Sequence, residues 1–358
     1  MTVAHVNRIG TAVPDHDVHQ TFIGYVHHSL PDRRSQRLFR RMAERAAIEH
    51  RYSCLRPGTR LEEAADDSGF YRRGRFPGTG ARMERFGPCA LDLMRRAVAA
   101  LDLGPGAEGI THLVLASCTG FTAPGLDQQL MAALGLDPSI ERTVVGFMGC
   151  AAAVNALKVA HHIVRSEPDA RILVVNVELC TLHMQDTADL EKVLSALLFG
   201  DGCTAALVTR EPVGLALSGF RAVTIPDTGS LITWTIGDQG FDMTLSGEVP
   251  SRISRALRHE AQRNDGIFRD GRPDEVDLWA VHAGGRTILD AVEEGLSLDE
   301  KALHWSRGIL REFGNMSSCT LMFVLDRMLR QADAPARGLG MAFGPGLVAE
   351  TFRFRKVE

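Results

Sequence analysis

Short apolar runs of strand length alternate along the chain with longer stretches in which apolar residues return every three or four positions. Val3–Val13, Thr111–Cys118, Arg171–Glu178 and Val276–Val281 read as strands, the last three as runs suited to burial on both faces. Cys203–Thr209 with Val213–Val223, and Gly338–Phe343 with Leu347–Arg355, read as antiparallel pairs. Helical spacing falls on His19–Leu30, Ser35–His50, Cys89–Leu103 and Gln128–Leu134, then on Leu190–Leu198, Val249–Gly266, Arg286–Gly295 and Cys319–Gln331. Gly104-Pro105-Gly106 stops the third of these helices, and residues 56–86, rich in Gly, Arg and Asp, read as irregular surface chain. Strands set between helices predict a layered α/β architecture. The order strand, loop, helix, paired strands occurs twice, which divides the chain into 1–225 and 226–358.

The stretch 142–164 departs from simple alternation. Val144 and Val145 belong to a run with the character of a buried strand, and Ala152, Val154, Leu157, Val159 and Ile163 have the spacing of a buried helix. Between them Gly149, Cys150 and three alanines form a strand-to-helix turn with almost no side-chain bulk. A thiol at a helix start faces unpaired N–H groups and the positive end of the dipole, which favour thiolate. A small buried hydrophobe is the plain alternative for any free cysteine. His282 ends a buried strand beside two glycines, where either a satisfied core histidine or a catalytic base fits. Asn315, in Gly-Asn-Met-Ser-Ser, is explained by helix capping alone. Arg37, Arg41 and Arg45 share a strongly basic helix face, a solvated surface by default and a phosphate contact by opportunity.

Composition narrows the classes. A chain of 358 residues with 45% hydrophobic content buries a large core, and a net charge of −4 gives no reason to expect nucleic-acid binding. Seven scattered cysteines without a Cys-x-x-Cys pair read as reduced intracellular thiols. No His-x-x-x-His or His-Glu-x-x-His pattern occurs, so no metal is expected. Without a signal-like start or a bilayer-length apolar run, a cytoplasmic protein with no membrane insertion is expected.

Five motifs in order make the chain recognisable. Gly-Cys150-Ala-Ala, Leu-Phe199-Gly-Asp-Gly, Val-His282-Ala-Gly-Gly-Arg-Thr-Ile-Leu-Asp, Gly-Asn315-Met-Ser-Ser and Phe-Gly344-Pro-Gly together resemble the type III polyketide synthases, the chalcone synthase-like family, from about Arg41 onward. The resemblance implies a thiolase-like fold of two duplicated α-β-α-β-α halves, 1–225 with Cys150 and 226–358 with His282 and Asn315. It also implies a homodimer that extends a starter acyl-CoA with malonyl-CoA and uses no cofactor. By position, Cys150 matches the nucleophile, His282 and Asn315 its triad partners, and Phe199 a gatekeeper. Thr119, Ser317 and Pro345 match the cavity wall, and Arg41 and Arg45 the contacts to CoA phosphates. A family lysine position falls at Leu38, with Arg37 adjacent.

Departures from the plant pattern are informative. Cys118, Cys180 and His183 stand where plant chalcone synthases carry threonine. Met243 aligns with a second gatekeeper phenylalanine, Trp234 with a cavity glycine, and Ala123 with a methionine that reaches into the partner's site. Cys118 resembles the bacterial branch. Flexible Met243 and small Ala123 suit an aliphatic acyl chain, whereas Trp234 narrows the usual cavity. The expected product is an alkyl-pyrone or alkyl-resorcinol. An aromatic product from another starter, a single condensation of the ketoacyl synthase type, a cysteine hydrolase and an inactive scaffold are the alternatives.

Overall fold

The computed structural model describes residues 2–103, 109–263 and 265–357. The N-terminal part runs β1 (His5–Ala12), β2 (His16–Asp17), α1 (His19–Ser29), α2 (Arg33–Arg45), β3 (Tyr52–Ser53), α3 (Thr79–Ala100), β4 (His112–Ser117), α4 (Leu126–Leu134) and β5 (Glu141–Gly146). There follow α5 (Ala152–Ser166), β6 (Ile172–Leu179), α6 (Leu190–Leu198), β7 (Asp201–Thr209) and β8 (Gly214–Thr224). The rest comprises β9 (Ile232–Gly237), β10 (Gly240–Leu245), α7 (Val249–Glu260), β11 (Leu278–Val281), α8 (Arg286–Leu296), α9 (His304–Phe313), α10 (Ser318–Gln331), β12 (Ala336–Gly344) and β13 (Val348–Val357).

Nine strands form one sheet in the order β11-β12-β13-β8-β1-β7-β6-β4-β5. Its two ends repeat each other. β4 pairs parallel with β6, β6 antiparallel with β7, and β7 antiparallel with β1. In the same sense β11 pairs parallel with β12, β12 antiparallel with β13, and β13 antiparallel with β8. Duplication is therefore written in strand order, with β5 an extra edge strand on one side and β8 at the seam. Between the halves lie α5 and α10, in contact with each other and buried along most of their length. α3 and α4 cover the outside of the first half, and α7 and α8 cover the second. The layers run helix, sheet, helix pair, sheet, helix.

Several expectations are corrected. The chain carrying Val144 is an exposed edge strand: every residue of β5 except Val145 is open to solvent, and Val144 is 52% exposed. Its apolar pattern faces no partner within the chain. α3 begins ten residues before the expected Cys89, because Arg82, Phe86, Ala90, Leu93, Met94 and Ala97 carry one buried face straight through Pro88. The expected stop at 104–106 lies outside the described residues. α2 ends at Arg45 and not at His50: the Asp17 carboxylate accepts from His50 Nδ1 at 2.7 Å and from the Arg51 N–H, holding 50–53 extended against β2. α7 stops at Glu260, whose carboxylate turns to accept the Ile267 N–H at 3.0 Å. The β9–β10 hairpin and α9 were not expected.

Leu157 is fully buried at the middle of α5. Leu157→Ala is expected to cost about 2–5 kcal/mol in urea unfolding. A loss well under 1 kcal/mol would mean that α5 is not the centre of the core.

Candidate active site

The two buried helices start at one place. Gly149–Ala151 forms a single tight turn leading into α5, with Gly149 at φ +57°. A Cβ on Gly149 would lie 2.4 Å from Pro345 Cδ, so the turn bearing Cys150 fits against the β12–β13 loop only with glycine there. The loop before α10 is equally constrained. Asn315 donates its N–H to the Leu198 carbonyl at 2.8 Å and accepts the Gly200 N–H at 2.9 Å. One backbone pairing thus sets Phe199, at the end of α6, beside Asn315. Ser317 sits at φ +48°, ψ −128°, a backbone state that a side chain disfavours. Cys118 follows β4, and His282 follows β11, the strand at the matching position in the other half. The duplication therefore supplies both ends of the site.

The side chains of Ser317 and Asn315 face the sulfur of Cys150 and favour its thiolate. Asn315 Nδ2 also donates to the Gly284 carbonyl at 3.2 Å, and its Oδ1 accepts the Ser317 N–H at 2.8 Å, which fixes the amide face. His282 Nε2 lies close to Gly284, 3.5 Å from where a Cβ on that residue would stand, so the imidazole is beside the carbonyl-bearing residue to which the Asn315 amide donates. Both ring nitrogens of His282 are buried and have no hydrogen-bond partner within the protein. Burial pushes the Cys150 thiol up to about 12, against the pull of Ser317 and Asn315, and the nearby Glu178 adds to the rise. Burial alone holds His282 down to about 3. The expected lowering of the thiol by the helix start is thus outweighed at rest: each group, taken alone, is neutral.

Above the sulfur opens a cavity of about 1180 Å³, the open solvent at its mouth included. Cys118, Thr119, Cys150, Cys180 and His183 line one part, and Phe199, Trp234, Met243, Ser317 and Pro345 another. Neither His282 nor Asn315 is part of this lining; Asn315 reaches the sulfur with its side chain, and His282 is buried beyond Gly284. Trp234 and Met243 face each other across β9–β10, and the Trp234 indole donates to the Cys118 carbonyl at 2.7 Å. His183 accepts the Phe241 N–H on Nδ1 at 3.0 Å and meets the Thr119 carbonyl through Nε2 at 2.7 Å. With its ring stacked on Phe241 at 4.2 Å and burial lowering it to about 3, His183 is a neutral wall residue. Cys180 is buried, and burial drives its thiol well up. Arg37, Arg41 and Arg45 lie exposed on α2, outside the cavity wall, and Ala123 lies exposed on the turn after β4.

Comparison with known proteins decides the family. The family model for the chalcone and stilbene synthase N-terminal domain matches residues 2–212, and that for the C-terminal domain matches 219–358. The chain is a type III polyketide synthase of the chalcone and stilbene synthase family. It is 36% identical over 278 residues to the alpha-pyrone synthesis polyketide synthase-like Pks18 of Mycobacterium tuberculosis, covering 75% of this chain and 70% of that protein. Its fold is similar to that of PKS-I from the brown alga Ectocarpus siliculosus, with a TM-score of 0.85 and 30% identity over 100% of this chain and 99% of that one. The C-terminal type III domain of Steely1 from Dictyostelium shares the fold at a TM-score of 0.87 and 23% identity, over 99% and 100% of the two chains. As a member of this family, the enzyme is a transferase that performs decarboxylating Claisen condensation.

Two residues of this synthase escaped the sequence reading. Arg51 is buried at the cavity wall, donates to the Ala196 and Phe199 carbonyls at 2.9 and 2.5 Å, and lies 4.7 Å over the Phe22 ring. It thereby fastens the turn that carries Phe199, and nothing in its sequence context marks it. Glu178 is fully buried and accepts from the Cys118 N–H at 3.0 Å, the Thr119 hydroxyl at 2.9 Å and the Ser318 hydroxyl at 2.6 Å. Glu178 did carry a signal, as the one charge in Ile172–Leu179, a strand otherwise buried on both faces.

Burial raises the Glu178 carboxyl from 4.5 to about 7, against the three hydrogen bonds that favour its ionised form. The folded protein therefore holds a proton that the unfolded chain releases between these values. Glu178 consequently destabilises increasingly as pH rises from about 4.5 to about 7, and by a constant amount above. Glu178→Gln is expected to gain stability relative to wild type by on the order of 3 kcal/mol between pH 5 and pH 8 in paired urea titrations. An unchanged difference across that range would show that the carboxyl ionises at its ordinary value.

Proposed function

We propose that Cys150 is the nucleophile of an iterative synthase that takes a fatty acyl-CoA starter and malonyl-CoA and releases an alkyl-pyrone or alkyl-resorcinol. The observation that carries this is the Cys150 sulfur at the wall of a large cavity, with the Asn315 amide facing it and the His282 nitrogens left unpartnered. Since burial disfavours either lone charge, the charged forms arise together. The thiol proton passes to His282, and the thiolate–imidazolium pair keeps zero net charge in the same dry pocket. The thiolate attacks the starter thioester, and CoA leaves as a thiolate that takes its proton from solvent, so His282 keeps the proton it gained.

Malonyl-CoA then loses CO₂, which places charge on the thioester oxygen of the enolate. The Asn315 N–H that met the resting sulfur, beyond the one given to Gly284, turns to that oxygen once Cys150 is acylated, and His282 supplies another donor to it. The enolate carbon attacks the acyl carbon on Cys150, expelling the thiolate, and the lengthened chain returns to the sulfur. Phe199, lining the cavity next to Asn315, makes a charged carboxylate poorly solvated and favours its departure as CO₂. Arg37, Arg41 and Arg45 provide a basic, exposed helix for the CoA phosphates. Apolar lining with flexible Met243 suits an aliphatic chain, and the alpha-pyrone synthesis named for Pks18 points the same way.

A homodimer completes this reading. β5 has a free edge with Val144 outward, and Phe121 and Met148 are exposed beside it, an arrangement that isolated chains avoid. A second copy pairing along β5 would cover it, next to the Ala123 turn. No described helix is long and apolar enough to cross a membrane.

Incubation with acyl-CoAs of graded length and labelled malonyl-CoA is expected to give pyrone or resorcinol masses, and none with Cys150→Ala. His282→Gln or Asn315→Ala is expected to slow malonyl-CoA decarboxylation about 10²–10³-fold. Polyketide formed undiminished by Cys150→Ala would overturn the assignment. Sedimentation is expected to show a dimer that Val144→Lys weakens; a monomer at assay concentration would remove the partner from the scheme.

A further inference from the structure

We propose that His112, Glu141 and Glu167 bind one divalent cation of the zinc class at the far end of the first half-sheet from Cys150. His112 opens β4, Glu141 opens β5 directly beside it in the parallel register, and Glu167 is the residue that ends α5. Three separate backbone segments thus bring one imidazole and two carboxylates together. His112 Nε2 lies 3.7 Å from Glu141 Oε2 and 3.7 Å from Glu167 Oε2, and the three donor atoms all lie within 4.8 Å of one another. Zinc bonds of about 2.0–2.2 Å in tetrahedral array place donors roughly 3.4 Å apart, so closure asks a few tenths of an ångström toward His112 and at most about 1.4 Å between two exposed, flexible glutamates.

Hydrogen-bond bookkeeping around the imidazole points to a ligand independently. Thr111 Oγ1 accepts the Arg171 N–H at 2.9 Å and has the Arg171 carbonyl at 3.3 Å to take its own proton. The same oxygen meets His112 Nδ1 at 2.8 Å, which holds the ring in place. Nε2, on a side chain only 6% exposed, makes no hydrogen bond among the described residues and points at two carboxylates 3.7 Å away, too distant for one. A cation in the gap gives all three side chains a partner. A histidine whose second nitrogen is fixed by a hydroxyl, with its free nitrogen beside carboxylates, is how zinc ligands are oriented. The carbonyl end of α5 adds its negative dipole. Both carboxylates reach solvent, which leaves a coordination position for water. The sequence spacing of 112, 141 and 167 matches no metal motif, which is why the ligands went unseen there. Because α5 runs from the Cys150 turn to Glu167, the cation would clasp the helix end to β4 and β5.

Full-length protein, stripped with chelator and titrated with Zn²⁺ by calorimetry, is expected to bind one ion per chain and to gain in melting temperature. Glu141→Gln with Glu167→Gln changes only exposed side chains and is expected to weaken Zn²⁺ at least about tenfold, leaving iodoacetamide labelling of Cys150 unchanged. Thr111→Val keeps all three ligands and is expected to weaken it by about 10-fold or more through the loss of the hydroxyl that holds the ring. Absence of stoichiometric Zn²⁺ binding, leaving a protonated His112 as a plain ion-pair partner, would overturn the proposal. Binding untouched by the double substitution would also do so, since the thiols would then hold the ion.

Discussion

Everything in this molecule follows from two helices buried between two half-sheets with their first turns meeting. The first turns of α5 and α10 are buried on every side, so packing sets where each begins. Neither start is capped by its own residue: Ala151 and Ser317 make no side-chain capping bond. The preceding turns take up the first N–H groups instead: the Gly149 carbonyl that of Ala152, the Met316 carbonyl that of Cys319 at 3.1 Å and the Ser317 carbonyl that of Thr320 at 3.2 Å. The lack of bulk in Ala151, Ala152 and Ala153, and the glycine against Pro345, are the sequence's way of letting the two starts come this close.

Duplication then turns one fold into an unsymmetrical site. The same two strand ends carry Cys118 in one half and His282 in the other, and the same two helix starts carry Cys150 and the Asn315–Ser317 loop. Burial makes the resting residues neutral, which protects a thiol from indiscriminate chemistry. It also means that any charge formed during turnover must appear beside its counter-charge or beside a donor already in place. Glu178 obeys the same rule, half-way to a neutral acid and ringed by hydroxyl and backbone donors.

The placement of Cys150, His282 and Asn315 at junctions between a strand or loop and a helix was legible, because small flanking residues signal the close approach of a ligand or a second backbone. Strand identity was equally clear in β4, β6 and β11, since continuous apolar runs are rarely anything else. What failed were readings that weigh one residue against a whole face. Pro88 argued for a break, yet the buried face from Arg82 to Ala97 outweighed one missing N–H. Val144 argued for burial, yet its strand lies at the sheet's rim, and periodicity cannot tell a core from a surface awaiting a neighbour. Asp17 ended α2 early from far along the chain, a long-range bond that no local propensity contains. The wall assignments for Trp234 and Met243, made in loosely aligned sequence, fall on cross-strand neighbours of a hairpin whose glycines at 237 and 240 were visible but unread.

Of the three tryptophans in the chain, Trp234 alone touches the cavity; Trp279 packs under Phe268, and Trp305 lies against His304. Its indole is tethered at one end and meets His183 and Phe241 edge-on, while the rest of the ring borders the empty space. Exchange of water for hydrocarbon beside that ring alters its emission, so the protein carries a built-in fluorophore that reports filling of the chamber without any added label.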